Sequence, residues 1–332
     1  MVTIRIVEGA GRPGDGERRA VRLRRAELVE LPALLARSDV RCWVDLDRPQ
    51  PAELDEVARL FGFHPLAVED CRAPSHLPKV EAYDGYLFLI VHVIDPESVE
   101  RQVTTTDLEC FLAERYLVTH HVRPHAVLDH LASRLEADPH LLADGADRLL
   151  HELLDAIVDR YFPAVEAMQT RAEALEAAVF DAARREDPLP RLLALKAEVT
   201  QLKRAVVPEL EVLRRLAGQA VAVVSPQGAF YFRDVLDHLE RIEAEVENLR
   251  DELTTLVQVH LGVVTYRLDE AIRILTVFSV LLLPLHLIAG IYGMNFQYMP
   301  ELGWRYGYPF ALGLMALVAA GLLLYFRRRG LL

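Results

Sequence analysis

Residues 274–291 read ILTVFSVLLLPLHLIAGI and residues 308–326 read YPFALGLMALVAAGLLLYF, and neither stretch contains Asp, Glu, Lys or Arg. Each approaches the roughly 20 apolar residues that a helix needs to cross the hydrocarbon core of a bilayer. The short loop between them begins Tyr292, Gly293, Met294, Asn295, and Arg327, Arg328 and Arg329 follow the second stretch at once. A buried helix of a soluble protein can be as apolar, but a pair closed by three arginines fits a membrane hairpin better. Arg267 and Arg273 precede the first stretch, whereas the loop holds only Arg305 and Glu301 as charged residues. Positive charge gathers on the cytoplasmic side of membranes, so both termini are expected in the cytoplasm and the loop outside the cell (inner) membrane.

Working outward, the N-terminal residues MVTIRIVEGAGRPGDGERR lack the apolar run of a signal peptide, which keeps the region before Arg273 cytoplasmic. The net charge of −12 argues against nucleic acid as a partner, since a binder needs positive surface to displace counterions. Cys42, Cys71 and Cys110 are scattered without metal-site spacing and suit a reducing compartment. Residues 1–145 read as a mixed α/β domain. Thr3–Val7, Cys42–Leu46, Tyr86–Ile94 and Leu108–Val122 have the β-branched and aromatic character of strands, while Pro51–Phe61 and Pro65–Cys71 open with a helix-starting proline. Asp144, Gly145 and Ala146 mark the boundary.

Residues 146–272 turn helical and charged. Leu149–Asp181 reads as one amphipathic helix; Leu192, Leu195, Val199, Leu202 and Val206 form a second that stops at Pro208, and a further helix runs to about Val224. From Phe230 to Leu283 there is no proline and one glycine, Gly262, and Val235, Leu239, Ile242, Val246, Leu249 and Leu253 keep a heptad-like stripe. That spacing predicts one helix of roughly 80 Å running into the membrane before Pro284. Glu240, Glu243, Glu245, Glu247, Asp251 and Glu252 give it an acidic flank, a solvated face or a rim that concentrates cations. The fold class is α+β: an N-terminal α/β cytoplasmic domain whose long helices continue into a two-span α-helical membrane domain over residues 273–332.

Polar groups inside a span are costly unless they face a cavity or another helix. Thr276, Ser279, Leu283, His286, Gly290 and Gly293 follow one another by three or four residues, and Asp269 and Ile272 extend the row toward the cytoplasm. An average step of 3.5 suits helices packed around a common axis. The row therefore lines a narrow path shared by several copies or forms a packing face in a dimeric anchor. Two spans per chain cannot enclose a pore, so a pore needs an oligomer.

The run PLHLIAGIYGMNFQYMPEL, residues 284–302, resembles the signature of the CorA magnesium and cobalt transporter family, with the triplet Gly293, Met294, Asn295 and the following Met299, Pro300, Glu301, Leu302 as its most specific part. The resemblance continues through WRYGYP (304–309) and includes FGFHPLAVED (61–70), PKVE (78–81) and YFRDVLDH (231–238). It implies a funnel-shaped homopentamer in the bilayer, the long helix lining the pore and the second span outside it. Its cargo would be Mg2+, with Co2+ and Ni2+ next, driven inward by the membrane potential. That potential is worth about 4.6 kcal/mol for a divalent ion per 100 mV, and no GxxxxGK[ST] pattern indicates ATP use. Mg2+ gives up its waters reluctantly, so side-chain oxygens of Asn295 and backbone carbonyls near Gly293 could hold it hydrated, with Glu301 attracting it first.

The resemblance also implies regulatory metal between neighbouring subunits. It assigns Asp70 and Asp234 to one site and Glu69 and Asp155 to a second, whose ions hold the pore closed when internal Mg2+ is high. The sequence departs from the family pattern at two places. His286 replaces the usual threonine and Gln258 replaces a common acid. A ring of imidazoles suits Co2+, Ni2+ or Zn2+ better than Mg2+, or His286 is a neutral, hydrogen-bonded substitute. His120, His121, His125 and His130 cluster in sequence, but adjacent strand residues point to opposite faces, which argues against a metal site there. No nucleophile with a base and no cofactor fingerprint is found, so an enzyme is not expected. The alternatives are a zinc transporter of the same superfamily and a non-conducting, membrane-tethered coiled-coil sensor.

Overall fold

The computed structural model describes residues 1–9, 21–73, 77–95, 104–181, 187–218, 223–295 and 299–330. It forms two compact units, Met1–Leu256 and Val257–Leu332. In the first, seven strands make one sheet: β1 (Val2–Glu8), β2 (Arg22–Ala26), β3 (Val40–Asp47), β4 (Lys79–Tyr83), β5 (Tyr86–Ile94), β6 (Thr105–Leu112) and β7 (Tyr116–His121). Their order is β2-β1-β3-β7-β6-β5-β4. The β3–β7 pair is parallel and every other pair antiparallel.

Helices cover both faces of this sheet. Alternate side chains, Ile4, Ile6, Val44, Phe88, Phe111 and Val118, pack against Leu31 and Leu34 of α1 (Leu31–Leu35), Leu54 and Val57 of α2 (Pro51–Phe61) and Ala67 of α3 (Pro65–Asp70). The other face meets α5 (His140–Ala143), α6 (Ala146–Val158) and α8 (Leu189–Ala217), with α4 (Ala126–Ala137) packed beside α5 and α6. Burial on two sides explains why β5 is buried at every position rather than alternating. The edge strands β2 and β4 carry Arg22, Arg24, Arg25, Lys79 and Glu81, which suits strands whose outer edge meets water.

Local chemistry sets the boundaries. Pro51 starts α2 behind a Gln50–Glu53 capping box, and Gly62 ends it at φ 71°, a left-handed conformation that favours glycine. The expected strand Leu108–Val122 is instead the hairpin β6–β7, closed where the Ala113 N–H donates to the Tyr116 carbonyl at 2.9 Å. The expected single helix Leu149–Asp181 is α6 followed by α7 (Tyr161–Phe180). Pro163 lacks an N–H and would press on the Asp159 carbonyl, so the helix restarts.

Proline fails as a stop elsewhere. α8 runs through Pro208 because Val206, Leu210 and Leu213 stay buried on either side of it, and it ends at Ala217. The expected extension to Val224 falls partly on residues 219–222, outside the described residues. α9 (Pro226–Tyr292) begins at Pro226 and passes Pro284 as one helix. Its Val235, Leu239, Ile242, Val246, Leu249 and Leu253 are all buried, and Glu240 and Glu247 meet Arg214 and Lys203 of α8.

The start of α9 is pinned. Ser225 Oγ accepts the Gly228 N–H at 2.8 Å, and the buried Asp147 carboxylate accepts the Ser225 N–H at 2.9 Å. A β-carbon on Gly228 would stand 2.3 Å from that carboxylate, so any larger residue there must displace it. In the second unit the end of α9 and α10 (Gly307–Arg328) are, among the described residues, the two helices apolar enough to cross a membrane, with mean hydropathy of 2.4 and 2.1.

Candidate functional site

Two constellations carry the expected site residues. The first lies along the end of α9. Asp269, Thr276, Ser279, Leu283 and His286 are all helical and exposed on the chain. Thr276 Oγ1 donates to the Ile272 carbonyl at 2.7 Å and Ser279 Oγ to the Leu275 carbonyl at 2.8 Å. Each hydroxyl thus spends its proton on its own helix and keeps oxygen lone pairs for an outside donor.

The triplet closes this helix. The Gly293 N–H donates to the carbonyls of Ala289 at 2.9 Å and Gly290 at 3.2 Å, and the Met294 N–H donates to Ile291 at 3.3 Å. A β-carbon at Gly293 would come within 3.2 Å of the Ala289 oxygen, which crowds any larger residue there. Met294 and Asn295 are exposed just past the last turn, where the terminal carbonyls and the negative pole of the helix dipole favour a cation. Residues 296–298 lie outside the described residues. Glu301 sits on the 3-10 turn Pro300–Gly303, and its side chain is likewise outside them.

The second constellation joins α6 to α9. Ligand atoms of Asp155, Asp159 and His238 all lie within 4.8 Å of one another. His238 Nδ1 stands 3.9 Å from Asp155 Oδ1, beyond hydrogen-bond reach, and has no hydrogen-bond partner among the described residues. Burial, then the Asp155 charge, push the Asp159 carboxyl up, while His238 opposes the rise. Two carboxylates short of positive charge and an orphaned imidazole nitrogen fit a divalent cation, whose opposite ligands stand about 4.2 Å apart at magnesium bond lengths. Asp155 was expected from sequence, and Asp159 and His238 were not. Both follow an expected acid by four residues, Asp155 and Asp234, and that one-turn spacing was the available signal.

The remaining expected ligands are placed differently. Asp70 Oδ2 accepts from Lys79 Nζ at 2.7 Å, and the same ammonium donates to Glu81 at 2.9 Å. Burial works against the Lys79 charge, but its bonds to Asp70 and Glu81 outweigh this and raise its pKa. A cation at Asp70 must therefore compete with Lys79. Glu69 is exposed beside it, and Asp234 is exposed on α9, one turn before His238. Two of the clustered histidines make structural pairs: His120 Nδ1 meets Glu109 at 2.9 Å, and His121 Nδ1 meets the Arg123 carbonyl at 2.6 Å.

Comparison with known proteins agrees with the fold. The chain is 32% identical over 300 residues to YfjQ of Bacillus subtilis, covering 87% of this chain and 89% of that one. It is 30% identical over 294 residues to the cobalt/magnesium transport protein CorA of Thermotoga maritima, covering 88% and 84%. Among solved structures, the complete CorA magnesium transporter from Methanocaldococcus jannaschii superposes with a TM-score of 0.79 at 19% identity, over 99% of this chain and 98% of that one. The model of the CorA-like Mg2+ transporter protein matches residues 38–328, and the chain belongs to that family of membrane transporters of divalent cations.

Proposed function

We propose that this chain assembles as a funnel-shaped homopentamer in the cell membrane, both termini cytoplasmic, and conducts Mg2+ inward down the membrane potential. Co2+ and Ni2+ are further cargo. The observation that carries this reading is the polar row on α9 that ends in the Gly293–Met294–Asn295 cap. Around a common axis, the row presents acceptor oxygens of Thr276 and Ser279 to the water hydrogens of a hydrated ion. Asn295 supplies amide oxygens at the outer mouth, and Glu301 adds negative charge to the loop outside. A mere tether needs neither feature.

Cytoplasmic Mg2+ closes the path in this proposal. Asp155, Asp159 and His238, with Glu69 of a neighbour, would hold one ion, which supplies positive charge where the carboxylates otherwise repel. Asp70 and Asp234 of adjacent subunits would hold another, with Lys79 as competitor for Asp70. At low Mg2+ the acids repel across the interface and loosen the closed ring.

Uptake into proteoliposomes of the purified protein tests the proposal, with Mg2+, Co2+, Ni2+ and Zn2+ compared beside Asn295→Ala. Mg2+ entry driven by an inside-negative potential and abolished by Asn295→Ala supports it. Zn2+ entry without Mg2+ would move the chain to zinc transport, and no flux of any ion would favour the tether. Asp234→Lys should remove the Mg2+ dependence of protease sensitivity; an unchanged dependence rejects the gating half.

A further inference from the structure

We propose that His286 forms a nitrogen-donor subsite inside the ion path that captures divalent ions of borderline softness, Ni2+, Co2+ and Zn2+, and makes them compete with Mg2+. The inference rests on the conducting reading of α9. Between Ile274 and Ile291 no other side chain carries a nitrogen atom. The His286 ring is exposed on the helix surface, and among the described residues it makes no hydrogen bond or ion pair. An unpartnered imidazole facing hydrocarbon is costly, so its partner must come from outside the chain: water or an ion in a shared path, or another copy.

The position selects the path. His286 follows Ser279 by two turns, about 10 Å along the axis, and Gly290 follows one turn later with nothing within 4 Å of where its β-carbon would stand. The ring therefore lies on the same row as the back-bonded hydroxyls of Thr276 and Ser279. Upstream, Thr276 and Ser279 offer only oxygen to a passing ion. At His286 several copies would offer nitrogen lone pairs around one axis. Mg2+ holds its water and gains little from imidazole, whereas affinity for nitrogen sites rises steeply from Mn2+ through Co2+ and Ni2+ to Cu2+. An ion bound more tightly leaves more slowly, so the same ring that admits Ni2+ makes it obstruct Mg2+.

The test measures Mg2+ uptake by proteoliposomes against rising Ni2+, for the native chain, His286→Thr and His286→Gln. Thr keeps a short polar group and Gln keeps size and polarity, and both lack a basic nitrogen. The half-inhibiting Ni2+ concentration, read against each variant's own Mg2+ uptake without Ni2+, should rise about tenfold or more in both variants. Ni2+ binding to the detergent-solubilised full chain by equilibrium dialysis, in a His238→Ala background that removes the imidazole grouped with Asp155 and Asp159, should lose a site in both variants. An unchanged half-inhibiting concentration together with unchanged binding overturns the subsite while leaving Mg2+ conduction standing. If the native chain takes up no Mg2+, the conducting reading fails, and the dialysis result alone decides whether His286 binds Ni2+.

Discussion

Glu209 of α8 is 1% exposed and accepts a hydrogen bond from the Tyr161 hydroxyl of α7 at 2.7 Å. Its other oxygen has no hydrogen-bond partner among the described residues. Burial pushes this carboxyl from an ordinary 4.5 up to about 7, against smaller lowering effects of Tyr161 and His92. The unfolded chain releases the Glu209 proton above about pH 4.3, whereas the folded chain keeps it to about pH 7. Between those limits the native state binds more protons, so stability falls as pH rises and levels off beyond the folded value. At 1.36 kcal/mol per pKa unit the loss is about 3.5 kcal/mol. Glu209→Gln keeps an acceptor for Tyr161 and is neutral throughout, so it should escape this loss. Thermal unfolding of the detergent-purified chain, followed by helical circular dichroism at pH 5, 6, 7 and 8, should show the variant gaining on the native protein as pH rises. For a chain of 332 residues, at about 2.1 cal/mol/K of unfolding entropy per residue, the gain is roughly 5 °C by pH 8. A difference between the two proteins that stays constant across pH would show that Glu209 is not held protonated, and would refute the reasoning.

Other consequences follow from single contacts. Gly228→Val should lower stability by roughly 1–3 kcal/mol, because the new side chain displaces the Asp147 carboxylate from the Ser225 N–H. Gly262→Ala, with open space at its β-carbon, is the thermal-melt control and should be neutral or stabilising. Asp155→Asn and His238→Ala should each weaken Mg2+-dependent protection from protease several-fold, measured by titrating Mg2+ against cleavage rate. Cys42, Cys71 and Cys110 are buried, and burial pushes the Cys42 thiol up to about 12. Mass spectrometry should find all three unalkylated by iodoacetamide at pH 8 in the folded chain and alkylated in denaturant.

Much of this architecture was legible in the sequence because its strongest signals are local. Pro51–Phe61 and Tyr86–Ile94 match their elements at both ends, since a starting proline and an unbroken apolar run each need no distant partner to be read. The edge strands β2 and β4 escaped because Arg22–Ala26 and Lys79–Tyr83 are short and charged, and only their pairing with β1 and β5 makes them strands. Pro208 was read as a stop, yet the packing of its helix outweighs one missing N–H, whereas Pro163 does coincide with a restart. The row from Asp269 to Gly293 could be read because it lies on one helix. The grouping of Asp155 and Asp159 with His238 could not, because it depends on α6 and α9 meeting across a long sequence separation.

The two apolar helices end differently, and the difference bears on where a cation would enter. The last turn of α10 carries Arg327 and Arg328, and the Arg329 N–H donates back to the Tyr325 carbonyl at 3.1 Å. Its negative pole is answered by fixed positive charge. The last turn of α9 carries no basic residue, and the chain turns away through Gly293 and Met294 into Asn295, whose amide oxygen adds an acceptor rather than a charge. Several such ends gathered around one axis would sum their partial negative charges at the mouth with no resident cation to cancel them. A fixed arginine there would serve stability better, and its absence leaves that position to a mobile ion. In the proposed pore an amide beside Gly293 would then suffice: carbonyl dipoles and amide oxygens would attract a hydrated divalent ion without binding it so tightly that it stays.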